Sequence, residues 1–111
     1  MTVQTTHYFP FSASFKAHSQ HIGHNYILGV TTQALGPAEE IEFQNTVVRV
    51  LIDQVHTRDL GEHVSFLKGK TISDRTLLLS FEAFLKKKLK KWPIHGLSLQ
   101  KAGKTLSVLT R

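Results

Sequence analysis

Cysteine is absent from this 111-residue chain. Its absence excludes a disulfide framework, a thiolate metal site and a cysteine nucleophile, and fits a reducing compartment. Long apolar runs are absent too. None approaches the ~18 residues of a membrane span, and the amino-terminal MTVQTTHYFPF lacks the basic and apolar regions of a secretory signal. The expectation is a soluble, cytoplasmic protein. The chain has no Gly-rich phosphate loop, no serine-centred elbow and no His-Glu-x-x-His. Carboxylates are scarce, eight against fourteen Lys and Arg, and none follows Glu82.

What is present suffices for one domain, residues 1–111, with 41% hydrophobic residues to build a core. No internal repeat breaks it up. A net charge of +6 raises a polyanion such as nucleic acid as a partner. The excess is local, however, supplied mostly by Lys86, Lys87, Lys88, Lys90 and Lys91. Interleaved with Leu85 and Leu89, and without an aromatic platform for stacking bases, this run reads as the solvated face of a helix.

Residues 2–15 alternate apolar and polar side chains and predict a strand, with Pro10 at an edge or a bulge. Polar residues 16–21 read as a loop. A second strand is expected over 22–35, closing an antiparallel hairpin, and Gly36-Pro37 ends it. Over 43–57, Val47, Val48, Leu51, Ile52 and Val55 mark one helical stripe, with Asn45, Arg49, Asp53 and Gln54 outward. A longer connection precedes a second helix that starts at Ser73 or Asp74. Its stripe is Leu78, Phe81, Leu85, Leu89 and Trp92, and Pro93 ends it. Leu97, Leu99, Leu106 and Val108 flank Ala102-Gly103 as a final hairpin. The order ββααββ predicts an α+β fold, a four-stranded antiparallel sheet with both helices on one face.

Histidine carries what chemistry is visible. His18, His21 and His24 follow one another at intervals of three. On a strand that spacing places alternate members on opposite faces, so only a loop gathers all three around a metal. The alternative is a set of surface and strand histidines. His56 ends the first helix, where the dipole favours an imidazolium; a general acid/base is the competing role. His63 follows Glu62 in the connection and is expected to be exposed. His7 and His95 are read as structural.

Phe11-Ser-Ala-Ser, then Gly23-His24-Asn25-Tyr26, then Glu42-Phe43 opening a helix resemble the 6-pyruvoyl tetrahydropterin synthase and 6-carboxytetrahydropterin synthase family. The resemblance is specific over 11–30 and loose after 43. It implies the tunnelling fold, trimers whose sheets close into a barrel, hexamers of two trimers, and zinc-dependent lyase chemistry on a pterin, including that of queuosine biosynthesis. In that family a histidine ending Phe-x-Ala-x-His and both histidines of His-Gly-His hold zinc. Here those positions are Phe15, Ile22 and His24. The family's catalytic cysteine falls on His18, and its Asp-His pair on Val55-His56 or Glu62-His63. The glutamate that grips the pterin's guanidine-like edge falls on Gln100 or Lys101. The helix start Pro-Thr-x-Glu-Asn is here Ile72-Ser73-Asp74-Arg75-Thr76, which keeps only the hydroxyl cap.

The resemblance therefore implies catalytic candidates His56, His18 and His63, ligand-binding candidates Gln100, Lys101, Ser73 and Glu42, and metal candidates His24, His21 and His18. The leading reading is a divergent homologue without zinc that binds a pterin- or purine-like small molecule at a subunit interface of a trimer or hexamer. The alternative is an active zinc-dependent synthase with a rebuilt His18/His21/His24 site, and the third is a basic nucleic-acid-binding module.

Overall fold

Strand β1 (Gln4–Ala17) and strand β2 (Gln20–Gln33) pair antiparallel along their whole length, from Gln4↔Gln33 to Ala17↔Gln20. The computed structural model describes residues 3–17, 20–61, 64–101 and 106–110, with Ala17, His21, Leu106 and Thr110 as backbone only. Fourteen residues at ~3.3 Å each reach about 46 Å, nearly the 48 Å longest dimension of the molecule. Phe9, Phe11, Ala13, Tyr26, Leu28 and Val30 are buried on one face, while Tyr8, Pro10 and Asn25 are exposed. The loop expected at 16–21 is mostly strand, because the alternation carries on through Phe15↔Ile22 and Lys16↔His21. Pro10 stands opposite Ile27 in unbroken register, so it marks an edge and no bulge.

Strand β3 (Arg58–Asp59) corrects the expected four-stranded antiparallel sheet. It lies parallel to β1 at Ala13↔Arg58 and Ser14↔Asp59. With β4 (Gly96–Lys101) on β2 and β5 (Leu106–Thr110) on β4, the sheet is five-stranded and mixed, in the order β3-β1-β2-β4-β5. Thr57, at φ +61°, turns the chain onto β1, where the Leu60 N–H reaches the Ser14 carbonyl at 2.7 Å. Two residues show no periodicity, which is why this strand is invisible in the sequence.

Both helical rods pack on one face. Helix α1 (Pro37–Val47) starts six residues earlier than its apolar stripe indicates. Pro37 presets φ for the first turn, and Glu39 and Glu40 there complement the dipole. A π-helical stretch, Val48–Ile52, joins α1 to a final turn, α2 (Asp53–Val55). Phe43, Val47, Leu51 and Val55 are all fully buried, a spacing of four. Three α-turns hold about 10.8 residues, so twelve overrun the stripe by about one. The π-turn absorbs that residue and keeps all four side chains on the sheet. Val48, expected in the stripe, is instead 39% exposed.

Helix α3 (Asp74–Lys88) is capped by Ser73, whose Oγ accepts the Thr76 N–H at 3.1 Å. Leu77, Phe81 and Leu85 bury its stripe. The helix stops at Lys88, short of Pro93, yet Leu89 and Trp92 stay in the core. Leaving the helix lets Trp92 meet Phe43 edge-on, with ring centroids 5.4 Å apart. Among the described residues no helix is long and apolar enough to cross a membrane.

Candidate functional site

Strand alternation decides which side chains meet. Because Ala13 pairs with His24 and Phe15 with Ile22, residues 13, 15, 22, 24 and 26 share the face that carries the helices. The Phe15 and His24 rings lie 6.0 Å apart, and His24 meets Tyr26 edge-on at 5.7 Å. Tyr26 stacks in turn on Phe11 at 5.0 Å. The three positions that the resemblance assigns to zinc therefore do fall together, as a phenyl ring, an isobutyl-sized branched chain and a single imidazole. Hydrocarbon side chains have no lone pair to donate, so the residues at these positions do not fit zinc.

The start of α3 faces this row of rings. Phe15, Tyr26, Ile72, Ser73, Asp74, Leu77 and Lys101 are among the residues around a cavity of about 480 Å³. Lys101 enters it because β4 pairs with β2 in the register Tyr26↔Lys101. Its Nζ lies 3.2 Å from Asp74 Oδ1, and Ser107 Oγ donates to Asp74 Oδ2 at 3.1 Å. Tyr26 is 1% exposed and its hydroxyl has no hydrogen-bond partner among the described residues. Burial, seconded by the Asp74 charge, pushes its phenol up to about 12. The ring therefore keeps its proton as a donor at any physiological pH.

The other candidates are dispersed. Gln100, opposite Ile27, lies on the outward face in a separate cavity of about 470 Å³ with Thr6, Tyr8 and Ser98. Of the pair Gln100 and Lys101, only Lys101 joins Ser73. Glu42 is far along α1 and binds Lys91 Nζ at 3.2 Å. His56 is exposed, and its Nδ1 accepts the Ser12 N–H at 3.0 Å. That bond buckles the helix end to the β1 edge. His21 lies on the uninterrupted strand β2, three positions from His24 and opposite Lys16. Its side chain, and all of His18 and His63, lie outside the described residues. Among the described residues no group of three His, Asp or Glu side chains converges on a metal position. His7 is buried between the sheet and α1, its ring 4.9 Å from Phe43. His95 donates its backbone N–H to the Thr31 carbonyl.

Sequence reasoning missed Tyr26, Asp74 and Ser107 as members of one site. Each is ordinary where it stands, and only the β2–β4–β5 register joins them.

Five strands with two helical rods on one face, led by a long hairpin, define a 6-pyruvoyl tetrahydropterin synthase-like fold. The neighbour that shows it is the 6-pyruvoyl tetrahydropterin synthase of Caenorhabditis elegans, with a TM-score of 0.74 at 16% identity, covering 100% of this chain and 96% of that one. No family model matches the chain, and no curated protein matches it by sequence.

Proposed function

We propose that this chain is a divergent relative of the pterin synthases that binds a pterin- or purine-like small molecule in the cavity between Phe15, Tyr26, Ser73 and Lys101, without the family's zinc chemistry. The observation that carries this reading is the replacement of two of the three zinc positions by Phe15 and Ile22, beside a cavity that remains about 480 Å³. Phe15, Ile72 and Leu77 offer apolar walls to a planar ring, and Ser73, Asp74 and Lys101 offer polar groups at its margin. The cavity stands where β4 stops covering β2, since pairing ends at Tyr26↔Lys101 and residues 20–25 of β2 have no neighbour on that side among the described residues. A second copy seated there completes the pocket at a subunit interface, in a trimer or a hexamer.

The test joins two measurements on the purified cytoplasmic protein. Titration with pterin, followed by its fluorescence, is expected to saturate at micromolar concentration. Elemental analysis is expected to find far less than one zinc per chain. Saturation without zinc supports the reading. About one zinc per chain, with turnover of a dihydropterin triphosphate, moves the assignment to an active lyase.

A further inference from the structure

The polar groups in this cavity are, in the main, donors looking for an acceptor. Asp74 is the one carboxylate among the cavity residues, and both its oxygens are engaged, Oδ1 by Lys101 at 3.2 Å and Oδ2 by Ser107 at 3.1 Å. Ser73 Oγ is spent on the cap, accepting the Thr76 N–H and bonding Thr76 Oγ1. Besides the Arg75 guanidinium on the same cavity wall, two donors stand close to Asp74. The Lys101 ammonium carries three N–H groups, of which Asp74 takes one, and its side chain is 25% exposed. The Tyr26 hydroxyl is buried without a partner on the same cavity wall. An unpaired buried hydroxyl is destabilising, and a ligand acceptor would offset that.

We propose that the group this cavity selects is a carboxylate on a planar ring, gripped between the Lys101 ammonium and the Tyr26 hydroxyl. The proposal rests on the reading of this cavity as the ligand site and deepens it. Its polarity is opposite to that of a glutamate gripping a guanidine-like edge. Two donors match the two oxygens of a carboxylate.

Calorimetric titration of the full chain with four probes tests this: quinoline-2-carboxylate, quinoline-2-carboxamide, pterin and pterin-6-carboxylate. Each carboxylate is expected to bind roughly tenfold tighter than its uncharged counterpart, the worth of one charge-assisted hydrogen bond. Lys101→Met is expected to erase that preference. Tyr26→Phe, which deletes only the unpartnered hydroxyl and leaves the ring stack in place, is expected to weaken carboxylate binding about three- to tenfold. Binding of quinoline-2-carboxylate but not of either pterin supports the carboxylate grip and removes the pterin reading. Equal affinity for pterin and pterin-6-carboxylate, indifferent to Lys101→Met, overturns the grip and leaves pterin binding standing. Failure of all four probes overturns both.

Discussion

Phe15 and Ile22 face each other across β1 and β2, two residue pairs beyond Ala13 and His24 and so on the same face. Placing imidazoles there creates same-face ligands, which is the geometry a tetrahedral ion needs from a strand pair. The double variant Phe15→His/Ile22→His is therefore expected to take up about one zinc per chain, with a fourth position left to solvent. Adding His24→Ala should abolish the uptake. Phe15 and Ile22 are only half-buried, so the exchange should leave the fold intact. Stoichiometry from elemental analysis, with circular dichroism as the fold check, decides it. If the unaltered protein already holds a zinc that His18→Ala/His21→Ala removes, the metal is gripped elsewhere along the hairpin and this account of position 15 fails.

The elements themselves were partly legible. Alternation announces the hairpins and the stripes announce both helices, because each depends on side chains close in sequence. The early start of α1 at Pro37 was hidden because residues 38–42 carry little apolar signal, although a proline after a glycine is a sound first-turn residue. The site was less legible than the fold. Whether Gln100 or Lys101 reaches the cavity depends on a one-residue register between β2 and β4, and a slip of one swaps the faces. The π-turn belongs to this scale as well. Leu51, within it, is fully buried, so Leu51→Ala should cost about 2–5 kcal/mol. Ser73→Ala removes one cap bond and should cost only about 1 kcal/mol. Urea denaturation of the two variants should show this order; a Leu51 variant as stable as the Ser73 variant would mean that the π-turn does not hold the stripe on the sheet.

At the scale of the whole molecule, the hairpin is longer than the chain that covers it. Strand β4 meets β2 only over residues 26–31, and β3 meets β1 only at Ala13 and Ser14. Among the described residues, the β1 edge over 4–12 and the β2 edge over 20–25 therefore have no further strand. A two-stranded ribbon standing alone is marginal in water, and a bare edge invites pairing. The outward sheet face also shows Tyr8 at 67% and Val108 at 62% exposure. Closing the sheets of several copies into a ring would remove edges and cover that face together. The expected solution mass is three times the 12.5 kDa of the chain, or six times if two rings stack. Ser12 and Ser14 turn their carbonyls toward β3, so by alternation Tyr8 presents its N–H to the bare β1 edge. Tyr8→Pro deletes that donor where that side of β1 meets no other strand among the described residues, two residues from a proline the strand already tolerates. It should lower the mass to that of one chain in sedimentation while the far-ultraviolet dichroism stays the same. A single-chain mass for the unaltered protein at micromolar concentration would sink the ring, and with it the pocket's placement between subunits.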